Sequence, residues 1–178
     1  MFSVLTVQGI RDMSRLGKLT AVATLGSLTL AGAAQAACWS PIEVEAATLR
    51  ELQSRLMVAS LRCAKSDHDV LPHYNAFVRS KRHLLISGND TLKAYFGKHH
   101  GHKAGVREYD RFAVSLANRY GAGSGDLSEC ESMKELAFTA ATSEPSQAAL
   151  VRIARENALE PRLPGGRCGI IIARRAGG

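Results

Sequence analysis

Histidines are the densest group of chemically active side chains in this sequence. Three of the six lie within four residues, at His99, His100 and His102, with Gly101 between the last two. Imidazole nitrogens are good ligands for zinc and copper, and a glycine lets the backbone bend so that two rings reach one ion. The spacing is not that of H-E-x-x-H or of another motif with a fixed mechanism. We therefore expect no resident cofactor, and zinc or copper at this cluster is the alternative.

A second group of side chains offers acid–base chemistry. Asn75 follows Tyr74, and Asp110 follows Tyr109. Such groups can converge in a cleft where a carboxylate acts as a general base. More often, Asn and Tyr beside apolar positions satisfy each other's hydrogen bonds between helices. A small metal-dependent or acid/base hydrolase using Asp110, Asn75 or the histidines is thus an alternative function. No G-x-S-x-G sequence supports a serine nucleophile.

The positive charge is concentrated in one stretch of the chain. The formal charge is +7, from 23 Lys and Arg against 16 Asp and Glu. Basic residues outnumber acidic ones most strongly between positions 79 and 111. These basic residues are Arg79, Lys81, Arg82, Lys93, Lys98, Lys103, Arg107 and Arg111. A surface of this kind attracts anions. The leading prediction is a non-enzymatic protein that binds an anionic envelope component, a polysaccharide or a lipid headgroup, through this basic face. No motif for nucleic-acid binding is present, and we expect no such partner.

Residues 1–36 have the layout of a secretory signal peptide. The basic residues of this segment are Arg11, Arg15 and Lys18. An uncharged apolar stretch follows from Leu19 to Ala33, and Ala34-Gln35-Ala36 supplies the small residues of a cleavage site. The stretch is shorter than the ~20 apolar residues that cross a bilayer, so a membrane anchor is the weaker alternative. We predict export to the periplasm or the medium, translation from Met1 or Met13, and a mature chain without a transmembrane helix.

All four cysteines follow this segment, and an even number in an exported chain predicts disulfides. A zinc site of four thiolates is disfavoured because no C-x-x-C spacing exists. Cys38, Cys63, Cys130 and Cys168 allow three pairings. We favour Cys63–Cys130 with Cys38–Cys168, because the outer pair would tie the two ends of the mature chain together.

Helical periodicity dominates the mature sequence. Ser40-Pro41-Ile42-Glu43 is a capping box, which opens a helix to about residue 65. Its buried stripe is expected to contain Leu49, Leu52, Leu56, Ala59 and Cys63, widened by Met57, Val58 and Leu61. Further helices are expected at about 71–86, ended by Ser87-Gly88, and at about 90–96, stopped by Gly97. Others are expected at about 106–120, from the cap Asp126 past residue 140, and from Pro145 to about residue 158.

No segment alternates apolar and polar residues for long enough to predict a strand, and the only β-like run is Ile170-Ile171-Ile172. The sequence therefore predicts an all-α fold, a disulfide-stapled helical bundle of about four main helices plus short ones. Residues 37–160 would form the bundle domain, and residues 161–178 an irregular C-terminal tail tied by Cys168.

Several segments also resemble a known group of proteins. They are Cys38-Trp39, Glu51-Leu52-Gln53, Leu61-Arg62-Cys63, Leu71-Pro72 with Tyr74-Asn75, Tyr109-Asp110-Arg111, and Tyr120-Gly121. Their spacing is similar to that of small exported alphaproteobacterial four-cysteine helical proteins over most of residues 38–130. The resemblance implies export and a helical fold, and it assigns no catalytic residue. Some similar chains are described as S-adenosylhomocysteine hydrolases, but that enzyme is a much longer NAD-binding protein. The present chain has no strand–GxGxxG–helix unit.

Overall fold

The protein is a bundle of helices in a computed structural model that describes residues 37–121 and 127–169. The helices are α1 (Pro41–Arg62), α2 (Leu71–Ser80), α3 (Arg82–His100), α4 (His102–Gly121), α5 (Leu127–Thr142) and α6 (Gln147–Glu156). The only β-type pairing among the described residues is one isolated parallel bridge between Trp39 and Arg167. The predicted all-α, disulfide-stapled bundle is confirmed. Within the described ranges, no helix combines the length and the hydropathy needed to span a membrane.

Helix α1 is the central element and packs against all the other described helices. It starts at the predicted capping box, where the Ser40 backbone N–H donates to Glu43 Oε2 at 2.7 Å. The expected stripe from Leu49 to Cys63 is buried. Leu61, however, is 72% exposed, so its place in the stripe was wrong. Burial on several sides of α1 instead includes polar residues such as Thr48, Glu51 and Ser54.

The buried residues form two clusters that meet along α1. The first surrounds the C-terminal half of α1 and includes Phe77 of α2, Leu136 of α5 and Leu150 of α6. The second surrounds the N-terminal half of α1 and is mostly aromatic, since α3 and α4 pack there against Trp39. Its rings belong to Trp39, Tyr95, Phe96 and Phe112. This aromatic cluster lies beneath the candidate site described below.

The boundary between α2 and α3 corrects the prediction. A helix ending at Ser87-Gly88 was expected, but the helix is interrupted at Lys81, and α3 then runs without interruption to His100. Gly88 is buried inside α3, where a Cβ would lie 3.3 Å from the Leu49 side chain. This glycine therefore allows α3 to approach α1 and does not end a helix. The expected stop at Gly97 was wrong as well, because α3 continues through this residue to His100, and the turn comes at Gly101, whose φ is +75°.

The later helices differ from expectation at their ends. Helix α4 begins at His102, earlier than expected. Helical spacing predicts inward positions for Val106 of α4 and Leu71 of α2, but both side chains are exposed. Helix α6 begins after Ser146, whose Oγ accepts a hydrogen bond from Ala149 N at 3.2 Å. A serine cap therefore replaces the expected start at Pro145. The expected cap Asp126 and the β-like run at 170–172 lie outside the described residues.

Both expected disulfides are present. Cys38 pairs with Cys168 and Cys63 pairs with Cys130, so all four cysteines are oxidised. The inner pair joins the end of α1 to α5. The outer pair joins the segment before α1 to the segment after α6, where the Cys168 N–H also donates to the Trp39 carbonyl at 2.9 Å. The Cys38–Cys168 disulfide holds the segment after α6 beside the candidate site.

Candidate anion-binding groove

The residues predicted to form a basic face lie on α2, α3 and α4 and in the break between α2 and α3, and one of them is not at the surface. Lys81 is only 2% exposed, and its Nζ donates to the Ser143 carbonyl just after α5. Its place in an exposed basic face was therefore wrong, because the ammonium group satisfies the end of a helix, where the macrodipole favours a cation. The seven others are exposed: Arg79, Arg82, Lys93, Lys98, Lys103, Arg107 and Arg111.

Three of the exposed residues form a stripe on α4. Lys103, Arg107 and Arg111 are spaced four residues apart, so each lies one turn beyond the last on the same side of the helix. At its far end this stripe reaches a groove of about 540 Å³. The groove is lined by Phe96, Glu108, Arg111, Phe112, Ser115, Asn118, Arg119, Arg162 and Pro164. We call this depression the arginine groove.

Aromatic rings form the floor of the arginine groove. Phe96 and Phe112 line it directly, and their ring centroids are 5.6 Å apart. Beneath them, Trp39 lies 5.7 Å from Phe96 and 5.6 Å from Phe112, and it stacks on Tyr95 at 3.9 Å. Such close ring packing makes a rigid apolar surface. The floor is therefore an extension of the second hydrophobic cluster.

One wall of the groove belongs to the irregular segment after α6. Pro164 is held by its carbonyl, which accepts a hydrogen bond from Trp39 Nε1 at 2.9 Å. Gly165 has φ +83°, and a Cβ there would collide with the Ala37 carbonyl oxygen. A glycine is needed at this position for both reasons. The Cys38–Cys168 disulfide and the Trp39–Arg167 bridge complete the attachment.

Arg119 is fixed in the groove by a buried carboxylate on α1. Glu51 is 0% exposed, and its Oε1 accepts hydrogen bonds from Arg119 Nη1 and from the Tyr120 hydroxyl. Arg119 also donates to the Glu160 carbonyl at 3.4 Å. Burial first, and the neighbouring Glu51 second, raise the pKa of Tyr120 to about 12. Tyr120 therefore stays a neutral donor to Glu51 at physiological pH.

The three arginines differ in how far their charge is compensated. Arg119 faces Glu51, and Arg111 donates from its Nη1 to both carboxylate oxygens of Glu108, at 2.6 Å each. Arg162 makes no ion pair or hydrogen bond with any residue in the ranges 37–121 and 127–169. Its side chain is exposed, and among the described residues it is the arginine of the groove that has no ion-pair partner.

The predicted histidine cluster straddles the turn between α3 and α4. His99 lies against Tyr95 with ring centroids 4.6 Å apart, and His100 lies against Phe96 at 6.1 Å. Each ring thus packs on the residue one turn earlier, while His102 is exposed at the start of α4. In the part of the chain that the structure describes, no group of three or more His, Cys, Asp or Glu is placed to hold a metal ion. A zinc or copper site here remains a prediction.

The candidate acid–base residues are only partly brought together. Asn75 is exposed on α2. His102 and Asp110 line the same cavity of about 240 Å³, together with Lys93 and Tyr109. They are eight residues apart on one helix, which separates their backbones by about 12 Å. At that separation they cannot share a proton directly, since a general base must be within hydrogen-bond reach of its proton. The Tyr109 hydroxyl instead donates to Asn89 Oδ1 at 2.9 Å.

Sequence reasoning missed three residues of the groove region: Glu51, Arg119 and Arg162. Glu51 carried a usable signal, because it falls on the apolar side of α1 beside Leu52, where a carboxylate needs a buried partner. Arg119 and Arg162 carried none, since nothing in their local sequence shows that α4 meets the tail.

Comparisons with known proteins add no relationship. No family model, no curated protein and no solved structure matches this chain. The resemblance to small exported alphaproteobacterial proteins therefore stays a prediction.

Proposed function

We propose that this chain is a non-enzymatic, exported binding protein that holds an anionic component of the cell envelope at its basic surface, with the arginine groove as the centre of the site. The observation that carries the proposal is the meeting of Arg111, Arg119 and Arg162 around one depression of about 540 Å³. Guanidinium groups bind carboxylates and phosphates through planar, paired hydrogen bonds. The stripe of Lys103 and Arg107 extends the positive potential along α4 toward this depression.

Export is supported by the disulfides and by the N-terminal sequence. Both disulfides tie distant parts of the chain, with sequence separations of 130 and 67 residues. Such bonds persist in oxidising compartments and are rare in the cytosol. Residues 1–36 supply a basic start, an apolar stretch and an A-x-A site that fit a signal peptide. An anionic envelope component is therefore a partner the exported chain would meet.

Binding is favoured over hydrolysis by the arrangement of the polar groups. The polar groups of the groove are three arginines, one glutamate paired with Arg111, Ser115 and Asn118. This set can hold a negative charge, but Glu108 is already paired with Arg111, and no other carboxylate or imidazole from residues 37–121 and 127–169 lines the groove. The residues of the hydrolase alternative, His102 and Asp110, lie in the other cavity, two turns apart.

Charge reversal in the groove tests the proposal. The double variant Arg111→Glu/Arg162→Glu should bind vesicles containing phosphatidylglycerol, or a sulfated polysaccharide, at least about tenfold more weakly than the wild type. The matched control is Arg152→Glu/Arg155→Glu on α6, which changes the net charge equally at two exposed positions outside the groove. Cosedimentation and calorimetry measure both variants.

A second variant separates the groove from the wider basic face. Arg79→Glu/Arg82→Glu reverses two exposed charges near the α2–α3 break and leaves the buried Lys81 unchanged. It should lower affinity less than the groove variant does. The proposal is contradicted if the groove variant binds as tightly as the wild type. It is also contradicted if the affinity of the wild type does not fall when salt is raised from about 0.05 M to about 0.5 M.

A further inference from the structure

We infer that the arginine groove takes a single-chain anionic amphiphile, such as a fatty acid or a lysophospholipid. The hydrocarbon chain would lie on the aromatic floor and the anionic group would meet Arg162. This inference rests on the proposed function, since it names the class of anion that the same groove would bind. Three features of the groove carry it: the apolar floor, the balance of charge, and the length.

The floor favours a ligand with an apolar part. Phe96, Phe112 and Pro164 line the groove. The two phenylalanines are 6% and 7% exposed and Pro164 is exposed, so the apolar surface open to a ligand is Pro164 together with the small uncovered part of the two rings. A hydrated polyanion over these groups would leave their apolar surface in contact with water or with the polar groups of the polyanion, so that surface would gain nothing from binding. A hydrocarbon chain removes that surface from water, which is favourable. Ligand sites of this kind are mostly apolar and have a few placed polar groups.

The charge balance favours one anionic group over many. Arg119 faces Glu51 and Arg111 faces Glu108, so two of the three guanidinium charges have an acidic partner within the protein. Arg162 has none among the described residues. One uncompensated cation complements one carboxylate or one phosphate. A polyanion would need several such cations along its path to bind tightly.

The dimensions suit a chain molecule. The lining residues of α4 extend from Glu108 to Arg119, about 16 Å along the helix axis. The volume of about 540 Å³ lies within the range of small-molecule sites, about 300–1,000 Å³. Arg111 and Glu108 lie on the first turns of this length and Arg119 on the last. An extended chain of medium length therefore fits along α4 and brings its charged end to an arginine.

The protein contains its own reporter for this site. Trp39 is the only tryptophan, and its ring lies directly behind the floor, 5.6 Å from Phe112. A hydrocarbon chain on the other side of Phe112 and Phe96 would alter ring packing and solvent access in the cluster. We expect a saturable change in tryptophan emission when the groove is filled.

The experiment titrates the purified protein with dodecanoate below its micelle concentration and follows the Trp39 emission. We expect saturable binding that weakens about tenfold in Arg162→Glu, because a repulsive carboxylate replaces the free guanidinium. Arg155→Glu, an exposed charge reversal on α6, should bind as the wild type does. Acetate tests the carboxylate without the chain, and dodecyl maltoside tests the chain without the charge. Both should bind far more weakly than dodecanoate.

A parallel titration with a lysophosphatidylglycerol of the same chain length identifies the source of the anion. Tighter binding of the lysolipid indicates a phosphate, and tighter binding of dodecanoate indicates a carboxylate; either supports the inference. Equal binding of dodecanoate and dodecyl maltoside, or no effect of Arg162→Glu, would overturn it. If vesicles or polysaccharide bind through the groove charges but neither single-chain anion does, the inference fails and the proposed function stands. If no anion binds, both fail.

Discussion

At the scale of the residue, one buried carboxylate organises the chemistry of the site. Glu51 projects from the middle of α1, and Arg119 and Tyr120, adjacent on α4, both donate to its Oε1. Glu51 Oε2 has no hydrogen-bond partner among the described residues, so the carboxylate depends on these two donors. Removing either donor should leave a buried charge less satisfied, which is costly.

Tyr120→Phe tests this arrangement through its pH dependence. Below pH 10 the variant should be less stable by roughly 1.5–3 kcal/mol, the range for a hydrogen bond to a charged group. The pKa of Tyr120 is raised from 10.0 to about 12, so above pH 10 the unfolded chain loses this proton more readily than the folded one. The wild type should therefore lose stability between pH 10 and about 12, and its advantage over the variant should shrink.

Urea unfolding of both proteins from pH 8 to pH 11.5 measures that difference. If the difference in the free energy of unfolding between wild type and variant stays constant over the whole range, folding does not raise the pKa of the Tyr120 hydroxyl, and the arrangement described here is contradicted.

At the scale of the element, close packing of α3 on α4 shapes the groove and the turn beside it. A Cβ at Gly105 would lie 2.7 Å from the Phe96 carbonyl and 2.8 Å from Gly97 Cα, so only glycine allows the two helices to approach this closely. Phe96, which belongs to the groove floor, is on the other side of this contact. The contact between the helices therefore sets the position of the floor.

Gly105→Ala should destabilise the protein by about 1–3 kcal/mol, the usual cost of overpacking. It should also disturb the Trp39 emission, because Phe96 must shift. Gly97→Ala is the matched control, since a Cβ there has no neighbour within 4 Å. That variant should be neutral or slightly stabilising, because alanine is the better helix former. Thermal unfolding separates the two, and equal melting temperatures would contradict the packing account.

The glycines also show why only part of each element could be predicted. The period of apolar residues was sufficient to predict the buried stripe of α1 from Leu49 to Cys63 and most of α5. The sequence Ser87-Gly88 looks like a helix end, yet Gly88 is buried against Leu49 within α3. Local sequence cannot tell a glycine that ends a helix from one that admits a neighbour, because the difference lies in a tertiary contact.

At the scale of the whole molecule, one disulfide stabilises the core and the other holds the segment that forms a wall of the site. Cys63–Cys130 ties α1 to α5 within the first hydrophobic cluster. Cys38–Cys168 instead ties two irregular segments, one of which carries Arg162 and Pro164. The pairing was predictable from the idea that the mature ends should be joined. The groove was not, because the path of the tail past α4 follows from that bond and from the Trp39–Pro164 hydrogen bond.

Removing each bond should therefore have a different effect. Cys38→Ser/Cys168→Ser should cost about 2–5 kcal/mol of stability and also weaken anion binding under conditions where the variant is fully folded. Cys63→Ser/Cys130→Ser should cost a similar amount and leave the affinity of the folded protein unchanged. Circular dichroism identifies the conditions in which each variant is fully folded, and calorimetry with anionic vesicles measures the affinities there. Equal loss of affinity in both variants would contradict this division.

The central claim, that the arginine groove is where this protein binds anions, is tested most directly by mapping the bound ligand with NMR. Backbone amide shifts of the purified protein would be followed during titration with the anionic ligand that binds best. If the groove holds the anion, the largest changes fall in two separate parts of the chain, residues 108–119 and residues 162–166, which only the folded groove brings together. Largest changes around Arg79 and Arg82, or around the histidines of the α3–α4 turn, would contradict it.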